Sequence, residues 1–469
     1  MAAVFALALG CGGAAPTPAP AGSETAPTPE AKAATPPSPA CIDYGTLDPS
    51  TLPPLPASRY ADTLQQVWLR VLQKHYDPTL GCKDWPALRL SYAQKLVGIE
   101  DAERGYAIIN EMLGELGQSH FRLFPPGGGG DEDERREGSA EPPLSVRWID
   151  DRLVVVDSRA GGHLGKVEPG ATLLAVDDRD FDEAIARLRA RAERPSELAF
   201  ELGRVASARL SCARAGQAKK VKLAEADGRQ VIRMLQCAEP EGERVTLGNL
   251  ENIPTRVNWR MMPGTTVGYL AFNVWMLPMV KRVEAGMAEL RNAGMTALVL
   301  DLRGNPGGVG AMSVPVARML LSQPGSLGTL QFRDFKQEFN VEGNALGFTG
   351  KVALLVDEGT ASTSEIFAAG LRDLGRVTIF GGRASAGAAL PSVIDELPGG
   401  AILQYVVGDY RSPKGTVVEG VGVVPDVLVP ETREAFVGGH DPVLEAAVAA
   451  MRSDATSAST DPKAPGAPP

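Results

Sequence analysis

Ser362 is a candidate nucleophile because it stands between an apolar run and a helical pattern. The apolar run at 352–356 is followed by the small residues 359–361, and the helical pattern begins after Ser362. In serine hydrolases, a strand, a tight turn and a helix expose a serine hydroxyl at the start of the helix. The same segment also fits a simple helix cap by Ser362 or Ser364. Taken alone, it leaves both roles open.

Three further stretches carry residue types that support acyl transfer. They are QSH at 118–120, DLRGNPGG at 301–308 and EGVGVVPD at 419–426. The glycine-rich turn at 305–308 follows a predicted strand. It is suited to exposing backbone N–H groups, which stabilise the negative charge on a carbonyl oxygen under attack. A phosphate-binding loop is the competing interpretation, but the GxxxxGK[ST] spacing is absent from this turn.

Together with TASTSE at 360–365, these stretches resemble the motifs of a known serine peptidase family. It is the family of the C-terminal-processing (tail-specific) proteases and the tricorn core protease. The motifs occur in the family's order, and the resemblance covers roughly residues 60 to 450. It implies a peptidase that forms an acyl-enzyme on Ser362 and needs no metal or cofactor.

The family has two catalytic solutions, and this chain resembles the one without lysine. Tail-specific members pair the serine with a lysine twenty-five residues later, where this chain has Gly387, and the segment 381–390 contains no lysine. Tricorn-like members use a serine, a histidine, a second serine and a glutamate. Carried over to this sequence, those positions are Ser362, His120, Ser119 and Glu419.

Each of these roles has a simpler alternative. A serine hydroxyl needs a base, and the His120 imidazole titrates near neutrality in its unperturbed form. His120 also fits a structural, hydrogen-bonded histidine, and Glu419 fits an exposed turn residue. Ser119 and Glu419 would orient the imidazole, because a catalytic base needs a partner that fixes its tautomer. Glu365 is expected to stabilise the first turn of the helix rather than to titrate in catalysis.

Backbone amides around the nucleophile are the expected oxyanion hole. The N–H of Gly307 or of Gly308, together with the N–H of Thr363, would bind the developing negative charge.

Composition excludes several other classes of protein. The chain has 469 residues and a formal net charge of -10, with a pI of about 5.2. It has no basic cluster of the kind that binds nucleic acid. No apolar run is long enough to span a bilayer. The acidic run at 131–134 fits a solvated loop.

The N-terminus resembles a bacterial lipoprotein signal. An apolar stretch at 4–9 is followed by Cys11-Gly-Gly and by a tail rich in Ala, Pro and Thr up to residue 40. Cys11 would be lipidated, and the tail would be a tether. A basic residue before the apolar stretch is missing. A secretory peptide cleaved nearby and a disordered tail are the alternatives. The predicted location is the bacterial cell envelope, as a periplasmic or outer-membrane lipoprotein.

Cysteine spacing supports export. Without Cys11, four cysteines remain, and their spacing suggests Cys41–Cys82 and Cys212–Cys237 bridges, although sequence alone does not fix the connectivity. Disulfides belong to oxidising compartments.

The pattern of predicted elements indicates an α/β (α+β) multidomain protein. We expect a signal and tether at 1–40, a helical region at 41–140, a PDZ-like module at 141–240 and a protease core at 241–450, with a disordered tail at 451–469. Short strands and one helix, at 182–191, are expected in the module. In the core, strands alternate with helices, and a hairpin is expected at 393–407. The resemblance implies a ClpP/crotonase-like core.

The sequence as a whole predicts a serine endopeptidase that acts on peptides or unfolded proteins, with the module selecting substrates by strand addition. Two alternatives remain open. One is a binding protein on the same scaffold, and the other is an esterase or amidase for small molecules.

Overall fold

A computed structural model describes residues 41–126, 136–159, 167–247 and 250–452. Cys11, the acidic run at 131–134 and the tail from residue 453 lie outside the described residues. None of the described helices is long and apolar enough to cross a membrane.

The helical region forms because apolar residues recur on one face of each main helix. Leu64, Val67, Trp68 and Val71 are buried as the spacing predicts. A disulfide joins Cys41 to Cys82 and ties the first described residues to this region. Its elements are α1 (Ala61–Lys74), α2 (Trp85–Lys95), α3 (Ala102–Gly114) and β1 (Arg122–Phe124).

The module contains a five-stranded path of order β2-β3-β4-β6-β7, and the short β5 pairs with β4. Its elements are β2 (Leu144–Ile149), β3 (Arg152–Ser158), β4 (Thr172–Val176), β5 (Arg179–Asp180), α4 (Asp182–Arg191), α5 (Pro195–Leu210), β6 (Ala218–Ala224) and β7 (Gln230–Gln236). A disulfide joins Cys212 to Cys237. The prediction of one helix is wrong, because α5 follows α4 after a break at Pro195, which stands at the first helical position.

The remaining elements alternate between strands and helices. They are β8 (Glu243–Leu247), β9 (Leu250–Thr255), β10 (Val257–Met261), β11 (Val267–Phe272), α6 (Leu277–Asn292), β12 (Ala297–Asp301), α7 (Ser313–Leu320), β13 (Gly325–Phe332), β14 (Lys336–Val341), β15 (Val352–Leu355), α8 (Thr363–Asp373), β16 (Thr378–Gly381), β17 (Ser392–Glu396), β18 (Ile402–Val406), β19 (Gly408–Arg411), β20 (Val427–Leu428), α9 (Arg433–Val437) and α10 (Pro442–Arg452).

The central sheet has the order β10-β11-β12-β15-β16-β20. Within this sheet, each neighbouring pair from β11 through β12, β15 and β16 to β20 is parallel. Strand β10 pairs antiparallel with β11. Strands β12 and β15 are buried along their length because apolar clusters cover both faces of the sheet. The loops after β12, β15 and β16 therefore leave from the same carboxyl edge, where α/β sheets place their sites.

A second sheet attaches the helical region to this edge. Strand β1 pairs antiparallel with β18, which pairs with β17 in the predicted hairpin. His120 lies two residues before β1, and β17 begins shortly after the loop that leaves β16. This pairing brings the N-terminal histidine to loops that come much later in the chain.

Candidate active site

Ser362 stands on a strained turn between β15 and α8. Its backbone has φ 55° and ψ −120°, a conformation that non-glycine residues rarely adopt and that recurs at functional sites. The N–H of Ser362 donates to the carbonyl of Ala388 at 2.9 Å and to Oε2 of Glu365 at 3.0 Å. The preceding N–H, from Ala361, donates to the carbonyl of Asn305 at 3.0 Å. The turn is thus held from two neighbouring loops, and Ser362 itself is half-buried.

Ser364, the other serine in this segment, has a structural environment. It is fully buried, accepts a hydrogen bond from Nε1 of Trp275 at 2.8 Å and donates to the carbonyl of Asn305 at 3.1 Å. Both hydrogen-bonding directions of its hydroxyl are therefore used in packing the turn.

The glycine turn after β12 lies directly against Ser362. Gly307 has φ +96°, and a Cβ added there would stand 2.7 Å from Cβ of Ser362 and 3.0 Å from the nitrogen of Thr363. Glycine is required here both for its backbone conformation and for this close approach.

Of the two glycines expected in an oxyanion hole, Gly307 and Gly308, only one has an N–H group that already donates a hydrogen bond among the described residues. The N–H of Gly307 already donates to Oδ1 of Asn305 at 3.0 Å, so this amide is occupied. The Thr363 hydroxyl donates to the carbonyl of Gly308 at 2.9 Å and holds the two residues together. Within the described part of the chain, the N–H groups of Gly308 and Thr363 have no hydrogen-bond acceptor. They have the availability that an oxyanion hole requires.

His120, Ser119 and Glu419 form one hydrogen-bonded line. The Ser119 hydroxyl lies 2.7 Å from Nδ1 of His120 and donates to Oε2 of Glu419 at 3.0 Å. Because this hydroxyl has one proton, it accepts from Nδ1–H of His120 while it donates to the carboxylate. Nε2 of the neutral ring is then the unprotonated nitrogen, as a general base requires.

Glu419 also receives two backbone donors. The N–H of Ser119 donates to its Oε1 at 2.7 Å, and the N–H of Ala389 donates to its Oε2 at 2.9 Å. The sequence left open an exposed turn residue at this position. Instead, the Glu419 carboxylate joins the helical region to the loop after β16.

Burial shifts the pKa values of His120 and Glu419. Desolvation lowers the pKa of His120 to about 4. Burial also raises the pKa of Glu419, although hydrogen bonds from Ser119 and Ala389 act in the opposite direction. The imidazole of His120 is therefore neutral at pH 7, and the expectation that it titrates near neutrality does not hold in this environment.

The loop after β16 is hydrogen-bonded both to Ser362 and to the line that holds His120. Ala388 accepts the Ser362 N–H, while its neighbour Ala389 donates to Glu419. Within the described residues, no hydrogen bond joins the Ser362 hydroxyl directly to the His120 ring. General-base contacts commonly tighten when substrate binds.

Gly387 has a backbone conformation and close neighbours that disfavour a lysine side chain. Its φ is +75°, and a Cβ there would stand 2.6 Å from Nη1 of Arg194 and 3.0 Å from the nitrogen of Gly422. A lysine at this position would therefore need a strained backbone conformation and a shift of Arg194 and of the backbone at 421–422.

Two arginines of the module contact the loops that carry the site, and sequence reasoning missed both. Arg194 donates from Nη1 and Nη2 to the carbonyl of Ala386 at 3.2 and 3.3 Å. Arg147 on β2 forms ion pairs with Glu358 at 2.9 Å and Glu431 at 2.7 Å. These contacts join residues distant in sequence, so no local spacing reveals them.

A cavity of about 530 Å³ lies between the module and the core. Charged side chains line it, including Arg147, Arg303, Asp301 and Asp441. Ser362 and His120 are not part of its lining.

Known proteins resemble both the sequence and the fold. Residues 266–429 match the model of peptidase family S41. The chain is 25% identical over 383 residues to the carboxyl-terminal-processing protease of Synechocystis sp., covering 80% of this chain and 82% of that protein. It is also 25% identical over 384 residues to carboxyl-terminal-processing peptidase 3, chloroplastic, of Arabidopsis thaliana, covering 78% and 68% of the two chains.

Solved structures give the same fold. The photosystem II D1 C-terminal processing protease superposes with a TM-score of 0.53 at 22% identity, covering 85% of this chain and 99% of that one. Mature CPAF complexed with lactacystin superposes with a TM-score of 0.57 at 14% identity, covering 84% and 97%.

The fold and the family match define a serine-type peptidase, a hydrolase. More particularly, residues 266–429 match the model of peptidase family S41, and the predicted resemblance to the C-terminal-processing proteases is confirmed.

Proposed function

We propose that this peptidase is an endopeptidase of the lysine-free, tricorn-like type, with Ser362 as nucleophile and His120 as general base. The observation that carries the proposal is the bridge made by Ser119 between Nδ1 of His120 and the carboxylate of Glu419. This bridge fixes the tautomer that presents an unprotonated Nε2. The positive φ of Gly387, which disfavours any side chain at this position, supports the same choice.

The proposed reaction proceeds in two halves. Nε2 of His120 takes the proton of the Ser362 hydroxyl as Oγ bonds to the scissile carbonyl carbon, and the N–H groups of Gly308 and Thr363 receive the negative oxygen. His120 then gives the proton to the amide nitrogen, the C–N bond breaks, and the amine leaves. A water molecule, deprotonated by the same imidazole, hydrolyses the Ser362 ester and restores the enzyme.

The proposed substrates are peptides or unfolded proteins. The curated relatives are named for carboxyl-terminal processing, and the module has the edge strands β2 and β7. Strand addition at such an edge binds an extended peptide through main-chain hydrogen bonds.

The test is active-site labelling followed by hydrolysis assays. A fluorophosphonate probe should label Ser362 of the native protein, and Ser362→Ala should abolish both labelling and peptide hydrolysis. Ser91→Ala, which changes an exposed serine on α2, should leave both unchanged. Labelling of Ser364, or no labelling with intact folding, would refute the assignment. In particular, a protein that folds but neither labels nor hydrolyses would be a binding protein on this scaffold. Hydrolysis of activated esters without peptides would indicate the esterase alternative.

We further propose an extracytoplasmic location with a lipid anchor at Cys11. The Cys41–Cys82 and Cys212–Cys237 disulfides support an oxidising compartment. Cys11→Ser should release the protein from membranes. Free thiols at the other four cysteines of the native protein, found by non-reducing peptide mapping, would contradict the location.

A further inference from the structure

Glu365 lies behind the nucleophile with four donors on its carboxylate. The side chain is fully buried at the first turn of α8. Oε2 accepts the N–H of Ser362 at 3.0 Å and the N–H of Ala388 at 2.9 Å. Oε1 accepts the N–H of Gly387 at 2.8 Å and the hydroxyl of Ser385. One carboxylate thus joins the nucleophile's backbone to the loop 385–388.

We propose that Glu365 is a positioning residue whose carboxylate holds Ser362 and the loop 385–388 in the reactive arrangement, so that its protonation switches the peptidase off. This inference rests on the proposed function, because it assigns a role within the same site. It goes beyond the helix-stabilising role that the position in the first turn predicts.

The donor set explains why the charge of Glu365 matters. Three of the four donors are backbone N–H groups, which cannot become acceptors. A proton bound to the Glu365 carboxyl group therefore has no acceptor among these four groups except the hydroxyl oxygen of Ser385. That hydroxyl already accepts the N–H of Val423 at 2.6 Å, so it has one remaining lone pair for the Glu365 proton. The neutral form of Glu365 binds the loop with fewer or poorer hydrogen bonds, and the loop also carries the Ala388 carbonyl that receives the Ser362 N–H.

Burial brings the protonation of Glu365 into a pH range in which the protein can be assayed. Desolvation raises the pKa of Glu365 to about 7, against the opposing hydrogen bonds from Ser385 and the backbone. The pKa of His120 is lowered to about 4 by its own burial. A loss of activity as the pH falls through 7 that is absent from Glu365→Gln would therefore report Glu365, while a loss near pH 4 would report the base.

Among the described residues, titratable or charged groups near Glu365 and the loop 385–388 include Tyr410, Arg194 and Glu419. Tyr410 on β19 donates to the carbonyl of Ile366, and burial raises its pKa further above the ordinary value for tyrosine, so it stays protonated in the pH range of the experiment. Arg194 of the module binds the Ala386 carbonyl. Glu419 accepts the Ala389 N–H, and because burial raises its pKa as well, the experiment must separate its titration from that of Glu365.

The experiment compares pH profiles of kcat and KM for a peptide substrate, and of the rate of fluorophosphonate labelling. In the wild type, kcat and labelling should fall about tenfold per pH unit below pH 7. Glu365→Gln mimics the neutral side chain, so kcat at pH 8 should fall on the order of 100-fold, with KM little changed and no step near pH 7. Glu284→Gln, the same change at an exposed position on α6, should behave as the wild type.

A second variant keeps the proposal testable if Glu365→Gln does not fold. Ser385→Ala removes a donor that favours the ionised carboxylate, so the step should move to higher pH. A purely structural role for Glu365 would leave unchanged the pH at which kcat and the labelling rate fall.

Three outcomes would overturn the inference. They are a wild-type profile with no step near pH 7, a step that persists in Glu365→Gln, and a step that disappears only in Glu419→Gln. Failure of the proposed function is a different result, in which the wild type neither labels at Ser362 nor hydrolyses peptides at any pH.

Discussion

The hydroxyl of Ser119 lies 2.7 Å from Nδ1 of its neighbour His120, and His120 has φ +61°. Adjacent side chains in an extended strand point to opposite faces, so an ordinary strand would separate these two groups. The left-handed backbone at His120 is an unusual conformation, of the kind that persists at functional sites. It accompanies a contact in which the hydroxyl of Ser119 links the carboxylate of Glu419 to the imidazole ring of His120.

Glu419→Gln should keep the fold of the site and lose much of the activity. The amide retains one acceptor for the Ser119 or Ala389 donors but no negative charge, so the imidazolium formed during attack loses its stabilisation. We expect kcat to fall about 100-fold or more, as for other weakened base partners. Steady-state kinetics will measure this, with Glu284→Gln as the control. An unchanged kcat would remove Glu419 from the catalytic network.

His120→Ala should lower kcat by roughly 100- to 10,000-fold, the usual contribution of a general base. Because the pKa of His120 is lowered to about 4, the ring is neutral above that pH and protonated below it. Activity that depends on His120 should therefore fall as the pH drops through about 4. Added imidazole should partly restore the variant. His440→Ala, at an exposed histidine, should match the wild type. Full activity of His120→Ala would point to another base.

Arg194→Ala tests whether the module contributes to the chemistry. The sequence predicts that the module selects substrates and supplies no catalytic group. The structure, however, places Arg194 on the Ala386 carbonyl, next to Gly387. Loss of about 1 kcal/mol of hydrogen bonding would lower kcat several-fold. The loss should be equal for a long peptide and a small activated ester, and Arg152→Ala, at an exposed arginine on β3, should have no effect. A loss confined to the peptide would restore the purely selective role.

Local sequence pattern accounts for the elements that carry the site better than for the contacts within it. The helix at 182–191 has the predicted bounds, because periodicity depends on near neighbours. The second module helix was missed because Pro195 follows closely after α4 and interrupts the pattern. The four donors to Glu365 were also missed, since three of them come from the loop 385–388, about twenty residues away.

Gly387→Lys should fail to create a Ser/Lys dyad. In the background of His120→Ala, a lysine at this position would restore hydrolysis if the two branches of the family differed only in one side chain. Here the backbone has φ +75°, and the new Cβ would collide with Arg194 and with the nitrogen of Gly422. We expect no recovery of hydrolysis or of labelling at Ser362. Recovery of either would show that the loop 385–388 rearranges to accept the lysine.

Gly307→Ala should inactivate the enzyme through a single methyl group. The added Cβ would stand 2.7 Å from Cβ of Ser362, so the glycine turn and Ser362 must move apart. A displacement of about 1 Å typically costs on the order of 100-fold in rate. Gly399→Ala is a matched control, because Gly399 has the same φ of +96° but nothing within 4 Å of its added Cβ.

The two alanine variants separate backbone strain from the collision with Ser362. Both carry the cost of a non-glycine residue at positive φ, so both should lose a similar small amount of thermal stability. Only Gly307→Ala should lose fluorophosphonate labelling and peptide hydrolysis. Equal activity in the two variants would mean that the turn at 305–308 does not adjoin the reacting serine, and it would remove the Gly308 N–H from the oxyanion hole.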